Sequence, residues 1–260
     1  MTVTSGEERL VAKAEDLIDR AARGEITYTR FLTPGEQKQL TRRFAAVPHR
    51  LWGGYEEAER KRMFFLPPYL AELEECYCTE CLGDAYTESV IALEVRGSGY
   101  RLLAHRDYLG ALLHLGVERD CIGDLCVLPE NRAILFCDRV MAAFFCENLD
   151  RVANDAVTVC AVTLPPDFDG GRQFEGVSDT VASPRADAVV AALANLSRER
   201  AQALFREGRI EIDYEPEARP DRAIEEGCVI VIRGVGKFIV RSLSDKTRKG
   251  RFRLLADRYI

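Results

Sequence analysis

The sequence predicts an α+β protein on three observations. These are a capped amphipathic helical stretch near the N-terminus, alternating β-type and helix-type apolar periods through the middle, and two short helical patterns leading into strands near the C-terminus. A length of 260 residues with 47% apolar side chains allows two or three small domains with real cores. The patterns divide the chain into a mainly helical region (1–82), a mixed domain (83–165), a linker (166–180), a second small domain (181–245) and a basic extension (246–260).

Glu7 to Ala22 reads as an amphipathic helix. A second helix starts with Thr33 as N-cap, Pro34 at its first position and Glu36 three residues after the cap, a full capping-box signature. Arg42, Arg43, His49, Arg50, Trp52, Arg60, Lys61 and Arg62 then form a basic and aromatic cluster, either a nucleic-acid contact or a solvated helical face. Cys76, Cys78 and Cys81 bring three soft ligands together as C-x-C-x-x-C, but a closed tetrahedral zinc site needs a fourth ligand and none has motif spacing. No metal and no cofactor are therefore expected. Cys126, Cys137, Cys146, Cys160 and Cys228 sit in apolar runs and read as buried free thiols.

The middle segment gives six elements in order. Glu88 to Val95 is a strand, with Gly97-Ser98-Gly99 as the turn behind it, and His105 to Leu115 is a helix carrying Tyr108, Leu109, Leu112 and Leu113. Ile122 to Leu128 and Arg132 to Cys137 are strands around Pro129-Glu130-Asn131. Asp138 caps a helix running to Val152, and Ala156 to Val162 is the last strand. The order β-α-β-β-α-β is that of the ferredoxin-like plait, a frame shared by RNA-recognition motifs and by unrelated proteins. Motifs of that kind stack bases on exposed aromatics of the central strands, and only Phe136 stands in such a position here. His105-Arg106-Asp107 looks like a kinase catalytic loop but lacks every companion motif, so it reads as the polar first turn of a helix, with Arg106 free to meet an RNA backbone.

Arg185 to Leu196 has Val189, Leu193 and Leu196 at helical spacing. Ser197 is the N-cap of a following helix that ends at Gly208, a residue suited to the left-handed position past a helix end. On that helix Ala201, Leu204 and Phe205 form the buried stripe, while Arg198, Gln202, Arg206 and Arg209 line the adjoining one. Ile210 to Ile212, Cys228 to Ile232 and Phe238 to Val240 complete a small sheet. From Arg233 to the end, nine Lys or Arg (Arg233, Lys237, Arg241, Lys246, Arg248, Lys249, Arg251, Arg253, Arg258) face only Asp245 and Asp257, a balance of +7 in a chain of net charge −6. A basic end on an acidic chain fits a nucleic-acid contact, because Lys and Arg displace counterions from phosphates. Residues 1–180 hold 20 basic and 30 acidic side chains, so any RNA contact there rests on local patches.

Several landmarks of residues 181–245 resemble the S4-like RNA-binding domain: Arg185-x-Asp187, Ser197-Arg198 with Ala201, Gly208 before Ile210-x-Ile212, and Glu226-Gly227 before the last strands. Ala186 and Asp213-Tyr214 depart from that pattern, where Leu and Asn-Gly are usual, and the second departure puts a carboxylate near the RNA face. Over nearly its full length the chain resembles the bacterial and plastid YlmH-type proteins, through Thr33 to Phe44, Ala58 to Arg62, His105 to Leu112, Ile122-Gly123-Asp124, Val181-Ala182-Ser183 and Thr247 to Arg251. No apolar run approaches the roughly 18 residues needed to span a bilayer and Met1 to Asp19 has no signal-peptide core, so a cytoplasmic protein is expected. The resemblance implies a non-enzymatic factor that binds ribosomal RNA on the large subunit, with peptidyl-tRNA as a further partner, in quality control of stalled nascent chains. It also implies a link to cell division.

By the same resemblance Arg185 and Arg198 hold RNA, with Ser197, Gln202, Arg206 and Arg209 extending the contact. Arg233, Lys237, Lys246, Arg248, Lys249 and Arg251 add the basic strand end, and Arg106, Arg60, Lys61 and Arg62 are secondary contacts. A monomer is expected, with no membrane and no small-molecule substrate. Two alternatives stay open: a pseudouridine-synthase-like RNA-modifying protein, and a division-associated scaffold using the acidic surface.

Overall fold

The N-terminal region is shaped by the capping box of its second helix and by three short strands, the last of them fully buried. The computed structural model describes residues 5–71, 89–246 and 250–260, and its backbone divides into two units, Met1–Gly171 and Arg172–Ile260. Helix α1 is Ser5–Ala21, strand β1 Thr27–Tyr28 and helix α2 Pro34–Arg43. At the start of α2 the Thr33 hydroxyl accepts from the Glu36 amide, and the Glu36 carboxylate accepts from the Thr33 amide at 2.8 Å, so two orphan donors are met. Strands β2 (His49–Trp52) and β3 (Arg62–Phe65) follow, then the short helix α3 (Pro68–Ala71). The order β1-β3-β2 makes a three-stranded antiparallel sheet in a region expected to be mainly helical. All four residues of β3 are buried, so the strand has no two-residue period to betray it. Leu10, Ala14, Leu40, Met63 and Phe65 pack between α1, α2 and this sheet.

The second part of the first unit runs β4 (Ile91–Gly97), α4 (His105–His114), β5 (Ile122–Leu128), β6 (Arg132–Cys137), α5 (Arg139–Asn148), β7 (Arg151–Val152) and β8 (Asp155–Ala161). Its sheet is antiparallel throughout, in the order β5-β6-β4-β8-β7. Both helices pack on one face, where Leu93, Val95, Tyr108, Leu112, Leu135 and Phe145 are buried. Asp138 caps α5 by accepting from the Val140 amide at 2.9 Å. The helix stops at Asn148, four residues short of expectation, because the chain reverses at Leu149 and pairs Val152 with Asp155. Leu113, expected on the buried stripe of α4, is 42% exposed. Cys126 and Cys137 are buried as expected, Cys228 is half-buried, and Cys146 and Cys160 are exposed.

The second unit holds β9 (Phe174–Val181), α6 (Ala186–Leu193), α7 (Arg198–Arg206), β10 (Ile210–Ile212), β11 (Glu215–Pro216), β12 (Val229–Ile232), β13 (Gly236–Lys246) and β14 (Phe252–Tyr259). The sheet order is β11-β10-β12-β13-β14-β9. Strand β9 stands where the sequence reading has a linker, and β14 where it has a basic extension. The two pair over eight residues, from Phe252 opposite Val181 to Tyr259 opposite Phe174. Val189, Val190, Leu204, Phe205, Ile230, Phe238, Val240 and Leu254 bury the helix pair against one face of the sheet. Leu196 lies beyond the end of α6 and is 36% exposed. Gly208 has φ +64, the left-handed conformation expected past α7. Among the described residues, no helix is long and apolar enough to cross a membrane.

Candidate nucleic-acid interface

Asp187, in the first turn of α6, is fully buried. Its carboxylate accepts from Arg198 Nε at 2.9 Å and Nη2 at 3.2 Å, from Gln202 Nε2 at 2.9 Å and from Arg185 Nε at 3.3 Å. Three of the side chains assigned to RNA thus converge on one acid. Burial by itself would raise the Asp187 pKa, but the hydrogen bonds from Arg198, Gln202 and Arg185, with the charge of Arg198, outweigh it and hold the carboxyl at about 2. The Arg185 and Arg198 side chains remain 42% and 51% exposed. Each guanidinium therefore spends one edge on Asp187 and turns the rest to solvent, with its plane fixed by a bidentate or near-bidentate bond. Two guanidiniums on one carboxylate leave a preorganised excess of one positive charge, a geometry suited to phosphate or to a base edge.

Arg185-x-Asp187 is a landmark in the sequence, and the role of its acid emerges only where α7 meets α6. Ser197 caps α7 by accepting from the Arg200 amide at 3.2 Å, which sets where Arg198 leaves the chain. Arg206 is exposed one helical turn beyond Gln202. The other assigned cations are more engaged. Arg209 donates to the Arg233 carbonyl at 2.6 Å and faces Glu207 at 3.6 Å, and Arg233 pairs with Glu211 at 2.7 Å. Lys237 lies over the Tyr214 and Tyr259 rings, and Arg251 donates to the Thr180 carbonyl. The side chain of Lys246, and Arg248 and Lys249 altogether, lie outside the described residues, as do Cys76, Cys78 and Cys81.

Asp213 and Tyr214 have φ of 53° and 65°, the pair of positive angles that a two-residue β-hairpin turn requires. The Asp213 carboxylate accepts from Arg222 Nη2 at 2.8 Å and from the Val229 amide at 3.1 Å. It staples the following loop and does not point a free charge at the RNA face.

In the first unit the cations named as secondary contacts sit as follows. Arg62 is buried between the Tyr28 and Phe31 rings, at 4.9 and 4.6 Å, and pairs with Asp138 at 2.5 Å, so it ties the N-terminal sheet to the start of α5. Arg60 donates to the Ile122, Phe31 and Arg119 carbonyls at 3.0, 3.3 and 3.2 Å. Lys61 donates to the Glu56 carbonyl at 2.8 Å. All three are fastened by the fold, and Arg62 is buried, while Arg60 and Lys61 stay partly exposed. Asp124 fixes the same loop, accepting from Tyr55 Oη at 2.7 Å and from the Glu59 and Arg60 amides at 2.8 and 2.9 Å.

Phe136 is fully buried, stacked on Tyr55 at 5.0 Å with Phe168 at 6.1 Å, so it offers no ring to a base. The helix-free face of the central sheet is covered instead by Phe31, Tyr55 and Phe168. Arg106 is exposed, on the rim of a groove of about 500 Å³ that Gly110, His114, Asn148, Asp150 and Arg151 also line. Asp107 accepts from the Ala104 amide at 2.9 Å and faces Arg101 at 3.6 Å, so it closes the first turn of α4 as the sequence reading has it.

Two domain models match the chain. One, "Putative RNA-binding domain in YlmH", covers residues 90–165, and the other, "YlmH, N-terminal", covers residues 7–70. The chain is 29% identical over 232 residues to "Ribosome-associated protein quality control protein P2" of Bacillus subtilis (strain 168), covering 88% of this chain and 86% of that protein. A solved structure, "Cell division protein ylmH from Streptococcus pneumoniae", superposes with a TM-score of 0.49 at 16% identity, over 65% of this chain and 98% of that one.

Proposed function

Because the chain belongs to the YlmH-type family of RNA-binding proteins, we propose that it is a non-enzymatic factor that holds ribosomal RNA on the large subunit. Its work would be the quality control of stalled nascent chains still joined to tRNA. The observation that carries this reading is the Asp187 cluster, where Arg185, Arg198 and Gln202 are locked in place before any ligand arrives. Preorganised guanidiniums lose little freedom on binding, so the contact favours recognition of a fixed anion geometry over loose attraction. The name of the B. subtilis relative supports the ribosomal setting. In the same reading, residues 91–161 are a ferredoxin-like plait and the helix pair with its sheet is an S4-like domain.

Co-sedimentation with large ribosomal subunits tests the proposal. Arg185→Ala with Arg198→Ala should abolish it. That variant leaves Asp187 buried without its ion pairs, so Arg206→Glu, at an exposed position, serves as the companion that spares the fold. Folded variants that sediment as the parent does would overturn the assignment. Appearance of a modified base in RNA incubated with the pure protein would favour the enzyme alternative.

A further inference from the structure

The second unit has another face, opposite the buried helix pair, and it carries a connected row of rings and cations. Along β14 Leu254 and Ala256 are buried, so Arg253, Leu255, Asp257 and Tyr259 point the other way. Tyr259 stands opposite Phe174 of β9, with ring centroids 5.0 Å apart. Lys237 Nζ lies 4.5 Å from the Tyr259 centroid and 4.9 Å from that of Tyr214. At the other end the Arg241 guanidinium lies 5.4 Å from the Phe174 centroid, with its Nε bonded to Asp257 at 2.7 Å. The row therefore reads Tyr214, Lys237, Tyr259, Phe174, Arg241 across the turn after β10 and strands β13, β14 and β9. Phe174 is 39% and Leu255 40% exposed.

We propose that this row is a stacking platform for unpaired RNA, distinct from the arginine cluster on the helix pair. It rests on the RNA-binding reading above and extends it to a second ligand form. Rings offer π-faces to bases without regard to sequence, and the interleaved ammonium and guanidinium groups meet the phosphates between them. A duplex keeps its base faces stacked inside and gives the rings nothing to hold, so the ligand is a single strand. A purely apolar protein partner would bury Lys237 and Arg241 at a desolvation cost that phosphates offset.

The turn adds a second, independent sign. Tyr214 holds φ +65, a conformation unfavourable to a bulky side chain, where the hairpin would accept glycine without strain. The strained residue is the one whose ring ends the row.

The test uses the full chain, a labelled ten-nucleotide oligouridine, a structured ribosomal RNA hairpin and large subunits. Phe174→Leu with Tyr259→Leu keeps apolar bulk and removes the π-faces. Oligouridine affinity should fall about 10- to 100-fold, by the usual worth of base stacking, while hairpin affinity stays within about twofold. Arg185→Ala with Arg198→Ala should show the reverse pattern. A parent protein that binds hairpin and subunits but not oligouridine overturns the platform and leaves the RNA reading standing. A parent that binds none of the three overturns both. Ring variants that bind oligouridine as the parent does, yet leave the subunits, assign the face to a ribosomal protein and overturn the platform. Thermal melting of the ring variants, with Tyr259→Phe as a control that retains a ring, separates loss of fold from loss of stacking.

Discussion

Asp187 concentrates the energetics of the proposed interface in one side chain. Its carboxyl is held at about 2, well below the unfolded value of about 3.9, so it is ionised in the native state down to strongly acid pH. The sign follows from that direction. The stabilisation, of order 2 kcal/mol, is complete above about pH 4 and is lost as pH falls through about 2. Asp187→Asn should therefore lower stability by about 2 kcal/mol near neutrality in urea titration and flatten the acid limb of the stability profile. An unchanged acid limb would remove the ion pairs from the account. Arg198 and Gln202 were legible as a stripe because helical period and charge are local properties, whereas Arg185 entered through the resemblance to the S4-like domain. The acid that binds them was not legible, because its meaning depends on a contact between α6 and α7. The burial of Arg62 was hidden for the mirror reason: a cationic run looks solvated until the carbonyls and carboxylates that hold it are placed in space.

At the scale of elements, helix starts were the most readable feature. Thr33, Asp138 and Ser197 all cap as the sequence predicts, since capping needs only residues three or four positions apart. Strands were less readable. β3 is buried on both faces and shows no alternation, while β9 and β14 were hidden because eight-residue pairing between distant segments leaves no local mark. Two predictions belong here. Asp124→Ala removes the acceptor of three hydrogen bonds that pin the loop before β3 to β5, and should cost about 3 kcal/mol in chemical denaturation. Tyr214→Gly relieves the left-handed strain and should raise stability by about 0.5 kcal/mol in thermal melts, after the entropy cost of glycine. The same substitution should weaken oligouridine binding. A stability gain without a binding loss would separate the strain from the platform.

Across the whole molecule the charge is divided: residues 1–180 are acidic by ten charges, and the basic residues gather in the unit that carries the helix pair. That division was open to counting from the start. Which cations are available to RNA was not, because most of them are engaged with neighbouring carboxylates, carbonyls or rings. Arg106, exposed on the rim of its groove, is one candidate contact in the acidic unit. Arg106→Glu should reduce affinity for large subunits several-fold in the same sedimentation assay, with no change in melting temperature. The most direct test of the central claim is the affinity for large subunits measured across a salt series, for the parent and for Arg206→Glu. Phosphate contact by the helix pair predicts a steep fall with salt for the parent, and for the variant a weaker affinity with a log–log slope shallower by about one. Equal affinities and equal slopes would contradict it.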